Sequence, residues 1–114
     1  MRNDLAPLFS PFACGPLVLA NRFVMSPMTR QFSPGGVPGE NVAAYYARRA
    51  AAGVGLIITE GVGVDHPAAI GHGSMGEHDI PVLHGHGALS GWRRVVDGVH
   101  AVGGKIMPQL WHMG

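Results

Sequence analysis

VGLIIT at residues 54–59, closed by Glu60-Gly61, decides the fold class. It is a short, unbroken apolar run bounded by glycine, the pattern of a strand buried on both faces as parallel sheets require. Just before it, NVAAYYARRAAA (41–52) is rich in Ala and Arg and runs into Gly53, which predicts a helix ended by glycine. Further upstream, RFVMS is β-prone and stops at Pro27, giving a strand over 22–27. On the other side, Ser90 is a fitting helix cap. Trp92, Val95, Val96, Val99 and Val102 then fall on one apolar stripe before Gly103-Gly104. The spacing predicts a helix over 91–102. KIMPQLW makes 105–111 a third strand, in which Pro108 removes one ladder donor. Residues 62–90 remain as a long loop, and 33–39 (SPGGVPG) as a shorter one. The Pro-rich lead-in, 1–21, is either irregular or a small hairpin.

Strand, helix, strand, helix, strand, with connections this long, is a parallel α/β order. Right-handed crossovers between sequential neighbours put both helices on one face of the sheet. A strand order of 1-2-3 leaves the other face bare, which a closed barrel covers with its opposite strands. A (β/α)8 TIM barrel needs about 250 residues, so three strands and two helices in 114 residues are expected to be its N-terminal part. Residues 1–114 are accordingly expected to be the front portion of a larger enzyme. Apolar side chains around Val24, Ile57 and Met107 are expected on the face that further strands would bury.

Bulk composition narrows the function. Hydrophobic residues make up 46% and charged residues 13%, with a net charge of +1. No basic cluster exceeds Arg48-Arg49 or Arg93-Arg94, so there is no footprint for nucleic acid or an anionic membrane. No stretch reaches the roughly 18 apolar residues of a membrane span, and the start has no apolar leader. The single cysteine, Cys14, cannot form an internal disulfide and has no cationic motif around it, so a catalytic thiol is not expected. A cytoplasmic location is the expectation. No G-x-G-x-x-G opens a helix after a strand, which leaves a Rossmann dinucleotide site without support.

In parallel α/β folds ligands sit at the carboxyl ends of the strands. Those ends read Ser26-Pro27-Met28-Thr29-Arg30, Thr59-Glu60-Gly61 and Gln109-Leu110-Trp111-His112. Gln109 offers an amide donor and acceptor in one plane, Thr29 a hydroxyl, and Gly61 close backbone approach to a flat ring. Gln109 and Trp111 share a strand face. Each also has a plainer reading. Pro27 and Met28 suit barrel packing, Gln109 a solvated strand end, and Trp111 core or rim.

Three blocks carry a resemblance: LFSPFACGPLVLANRFVMSPMTR, YYARRAAAGVGLIITEG and GWRRVVDGVHAVGGKIMPQLWHMG. In order and spacing they resemble the N-terminal third of the Old Yellow Enzyme family of flavin-dependent ene-reductases, from about Leu8 onward. The resemblance implies FMN as cofactor and NAD(P)H as electron donor. Pro27, Met28 and Thr29 would line the flavin, with the Thr29 hydroxyl on its O4 side. Gly61 would meet the ring through backbone, Gln109 would bind its pyrimidine edge, and Trp111 would shape the substrate side. His112 is taken as structural. The substrate would be an alkene conjugated to a carbonyl or nitro group. The substrate-gripping His/Asn pair, the tyrosine proton donor and the phosphate loops come later in such proteins, so no catalytic acid is expected in this segment. The rival readings are a truncated, non-catalytic remnant and a small metal- or ligand-binding module. The latter would use His66, His72, His78, His84 and His86, whose spacing matches no metal signature and whose loop fixes no geometry. No metal is expected, and the loop is read as a substrate-side rim.

Overall fold

The computed structural model describes residues 4–70 and 78–114. A 3-10 turn, Ala6–Phe9, leads into an antiparallel hairpin of β1 (Phe12–Cys14) and β2 (Leu17–Leu19), with Phe12 opposite Leu19. The lead-in is therefore a small hairpin. A separate sheet has the order β3 (Val24–Met25), β4 (Leu56–Gly63), β5 (Ile106–Trp111), all parallel. Helix α1 (Glu40–Ala51) connects β3 to β4, and α2 (His86–Ala101) connects β4 to β5.

Both helices lie on one face. Val42, Tyr46 and Ala50 of α1 meet Trp92, Val95 and Val99 of α2 over Ile57 and Val62 of β4, with Met25 and Ile106 packed against the cluster. The apolar spacing seen in the sequence is thus what joins helix to sheet. Ile57 itself is 0% exposed in this cluster, and by strand alternation its neighbour Ile58 is the apolar side chain turned to the open side. Val24 (48% exposed) and Met107 (46%) do stand outside the core.

The helix expected at 41–52 runs Glu40–Ala51 and the strand expected at 105–111 runs Ile106–Trp111, shifts of one residue, while other boundaries differ more. Ladder pairing of the 22–27 segment is confined to Val24–Met25, because the Phe23 N–H turns to Asn21 Oδ1 and Pro27 has no donor to give. The strand set at 54–59 begins at Leu56 and continues through Gly63, since Gly61 pairs with Gln109 and Gly63 with Trp111. The 62–90 loop shrinks at both ends: its Val82 bridges Gly63, and α2 begins at His86 rather than 91. Ser90 is not the cap. Gly85, with φ at 79°, turns the chain into the helix, a conformation that favours glycine. Val102 lies just beyond α2 and is exposed rather than part of the buried stripe.

Pro108 sits within β5, and the ladder accommodates it with a bulge. Ile58 faces Met107 and Gly61 faces Gln109, so Thr59 and Glu60 together oppose Pro108. The Thr59 hydroxyl fills the gap, accepting the Gln109 N–H at 3.2 Å and donating to the Glu60 carbonyl at 2.7 Å. This buried side chain does the work of a backbone group.

Two outcomes follow from these packing arrangements. Thr59→Val should lower the urea unfolding midpoint by the equivalent of about 1–3 kcal/mol, because it strands a buried donor and acceptor, whereas Thr59→Ser should change it little. The purified 114-residue chain should elute from size exclusion as an oligomer, since its sheet face is apolar and its edges are unpaired. A stable monomer would contradict this.

Candidate functional site

Parallel pairing brings the carboxyl ends of β3, β4 and β5 to one edge of the sheet. Pro27, Met28 and Thr29 continue from β3 without regular secondary structure. Pro27 is half-buried, Met28 is 49% exposed and Thr29 is exposed. Gly61 and Gln109 are register partners on neighbouring strands. The Trp111 ring lies directly over Gly61, where an added Cβ would overlap the indole ring. Glycine is required there by close approach, although the group that approaches in this structure is Trp111 rather than a ligand. The half-buried Gln109 amide and the Thr29 hydroxyl have no hydrogen-bond partner among the described residues.

Sequence reasoning missed the charge behind this edge. The Glu60 side chain is 0% exposed, and two groups converge on its Oε2. Tyr46 Oη donates to Oε2 at 2.7 Å and accepts the Glu60 N–H at 2.9 Å. Arg30 Nη2 donates to the same oxygen at 3.3 Å. The Arg30 guanidinium lies 3.4 Å from the centre of the Tyr45 ring, an arrangement of cation over π-face. A glutamate ending a buried strand was the available signal, because a buried carboxylate needs partners. Burial pushes the Tyr46 phenol well above the usual tyrosine range. The Glu60 N–H opposes that shift, while the Glu60 carboxylate adds to it.

The histidines separate. His112 Nε2 lies 3.1 Å from His66 Nδ1, and His66 Nδ1 also accepts the Ala68 N–H. His112 Nδ1 accepts the Gly114 N–H, so Nε2 is the donor between the two rings. This pair pins residues 64–69 to the end of β5, together with bonds from Val64 N to Trp111 O and from Met113 N to Ala69 O. His84 stands 3.6 Å from Asp65. His72 lies outside the described residues, among which no group of three or more His, Cys, Asp or Glu is placed to hold a metal. An apolar cavity of about 70 Å³, lined by Thr59, Trp92, Ile106 and Pro108 among others, sits between α2 and the sheet. It is on the helix side and has no part in the strand-end edge.

The Tyr46 shift fixes a pH dependence. The proton is held more tightly in the folded state, so the stabilisation is complete below the ordinary tyrosine pKa of about 10 and declines as pH rises past it. The stability difference between the native chain and Tyr46→Phe should therefore narrow above that pH in parallel denaturant titrations. A difference that stays constant would contradict the shift.

Comparison with known proteins agrees with this arrangement. A profile of the NADH:flavin oxidoreductase / NADH oxidase family matches residues 7–114. 12-Oxophytodienoate reductase 7 of Oryza sativa subsp. japonica is 43% identical over 113 residues, covering 99% of this chain and 27% of the relative. A putative 12-oxophytodienoate reductase-like protein 2A of Arabidopsis thaliana is 36% identical, over 95% of this chain and 38% of its own length. Morphinone reductase in complex with tetrahydroNAD superposes with a TM-score of 0.83 at 41% identity, over 94% of this chain and 27% of that one. The Old Yellow Enzyme homologue of Zymomonas mobilis gives 0.81 at 35% identity, over 94% and 28%. The chain thus spans roughly a quarter to two-fifths of these proteins, and within that span its three parallel strands and two helices correspond to part of their TIM barrel. It belongs to the NADH:flavin oxidoreductase / NADH oxidase family, the family of the Old Yellow Enzymes.

Proposed function

We propose that this segment supplies the flavin-facing edge of an FMN-dependent oxidoreductase that reduces alkenes conjugated to a carbonyl or nitro group at the expense of NAD(P)H. The observation that carries the reading is the register pair Gly61–Gln109 beside the Thr29 segment. It sets an unengaged amide and an unengaged hydroxyl at one strand-end edge, beside the Gly61 backbone that the Trp111 ring covers. The donor set fits the group. A planar amide complements an imide edge, and glycine lets backbone approach a ring face. FMN, when bound, supplies the hydride transfer, while the protein orients and polarises.

The roles of the side chains follow from their chemistry. Gln109 holds the pyrimidine edge by donating and accepting at once. Thr29 donates its hydroxyl towards the oxygen on which negative charge accumulates on reduction. Pro27 and Met28 provide apolar contact, and Trp111 bounds the substrate side. Two relatives are named for ketones, 12-oxophytodienoate and morphinone, which accords with a carbonyl-activated substrate. The catalytic acid and phosphate anchor are assigned to parts of the barrel outside this segment.

The test joins this chain to the remaining barrel of morphinone reductase and measures FMN binding and NAD(P)H-dependent enone reduction. Gln109→Ala should weaken FMN binding by about 1 kcal/mol or somewhat more, roughly fivefold in Kd. Thr29→Ala should keep FMN bound and shift its reduction potential and rate. Unchanged reduction in the Thr29 variant would remove that residue from the assignment. The 114-residue chain alone should elute without visible flavin absorbance.

A further inference from the structure

The segment that carries Thr29 is poorly held by its backbone. From Pro27 to Gln31 no backbone group is hydrogen-bonded among the described residues, and the ladder that precedes it pairs only Val24 and Met25. Gln31 also adopts φ at 59°, a left-handed conformation that a non-glycine residue keeps only when its surroundings hold it. Among the described residues, the one hydrogen bond from this stretch to the sheet is made by a side chain, Arg30 Nη2 to Glu60 Oε2.

The two ends of that bond are firmly mounted. Glu60 is the second residue of the β4 bulge, and the Tyr46 hydroxyl grips both its N–H and its carboxylate. Arg30 is flanked by rings, Tyr45 at 3.4 Å and Phe32 at 5.7 Å from the guanidinium carbon. Arg30 Nε and Glu60 Oε1 are both buried and without partners. Nε and Nη2 share one edge of the guanidinium, the edge that meets a carboxylate at two points. The second bond of a two-point ion pair thus has both of its atoms present.

We infer that Arg30 and Glu60 are positioning residues, and that their ion pair sets Thr29 against Gly61 on the flavin-facing edge. The inference rests on the functional reading above. Thr29 precedes Arg30 and Gly61 follows Glu60, so one side-chain contact on the helix side fixes the spacing of two groups assigned to the cofactor. A hydroxyl donor is effective only when held in place, and an error of about 1 Å is enough to spoil it. Neither charged side chain needs to touch the flavin. Tyr46 and Tyr45 supply the backing that makes the pair rigid.

The experiment has two arms, using Arg30→Ala, Arg30→Lys and Glu60→Gln. In the first, the 114-residue chain is labelled with 13C-methyl methionine, whose signals survive in an oligomer. Met28 reports the tethered segment, and Met25, packed on the core, reports the fold. Arg30→Ala and Glu60→Gln should move and sharpen the Met28 signal and leave Met25 in place. Arg30→Lys, which keeps the charge but not the fork, should fall between. In the second arm, the chain joined to the rest of the morphinone reductase barrel is titrated with FMN by fluorescence quenching. Kd should rise about tenfold in Arg30→Ala and Glu60→Gln, and the bound flavin's visible spectrum should shift. An unchanged Met28 signal overturns the tether. Loss of the Met25 signal position as well overturns it in favour of a general structural role. A freed Met28 with unchanged FMN affinity and spectrum overturns the link to the cofactor. If the unsubstituted joined protein takes up no FMN, the functional reading fails, and the Met28 result still decides the tether.

Discussion

A carboxylate closed off from water at the bulge within β4 is the constraint around which this part of the molecule is arranged. An ionised group in an apolar layer is tolerable only with charge or hydrogen-bond partners, and removing one of them leaves a buried charge unbalanced. Glu60 draws its partners from two directions, Tyr46 of α1 and Arg30 of the chain leaving β3. The otherwise small, Ala-rich α1 carries two adjacent tyrosines in that place. Tyr46 reaches the carboxylate, and Tyr45 stacks beneath the arginine that balances it. Their rings meet edge to face, with centres 5.1 Å apart.

The bulge couples this charge to the opposite face of the sheet. Two residues of β4 are spent against Pro108, which resets the alternation so that Glu60 and Val62 share the helix side with Ile57. Gly61 is then left under Trp111 and beside Gln109. Without the extra residue, the alternation beyond Thr59 would reverse, and a glutamate would stand where the glycine is. The proline, the threonine that replaces the missing ladder contact and the glutamate behave as one unit. That unit converts an ordinary parallel ladder into a surface with a polar back and an open front.

The parts of the fold legible in the sequence are those set by periodicity. The Ala-rich stretch before Gly53, the run at 54–59 and the Trp92–Val95–Val99 stripe each name an element and its buried side, and their order names the parallel sheet. Elements set by tertiary contacts were less legible. Gly61 and Gly63 look like punctuation but continue a strand because β5 pairs with them. His86 begins a helix with no side-chain cap, because Gly85 supplies the turn by its backbone. The side of the sheet to which Ile57 points depends on which helices press on it, and a uniformly apolar run does not reveal that. At the site, the residue types at the strand ends were readable, and the Arg30–Glu60–Tyr46 cluster was not. Its members lie 14 and 30 positions apart, and nothing local marks them as a group.

The helix-side core also bears on the order in which a growing chain can close. Its members run from Val42 to Val99, and α1 and α2 close on each other over β4, which lies between them in the chain. The entropy cost of loop closure grows only slowly with the length of chain between two helices, and domains tend to assemble as their residues leave the ribosome. One face of the sheet can therefore be finished while the other is still an uncovered hydrophobic wall awaiting strands from elsewhere. A chain that carries the whole barrel and closes this core first would hold its apolar interior outermost until the ring is complete.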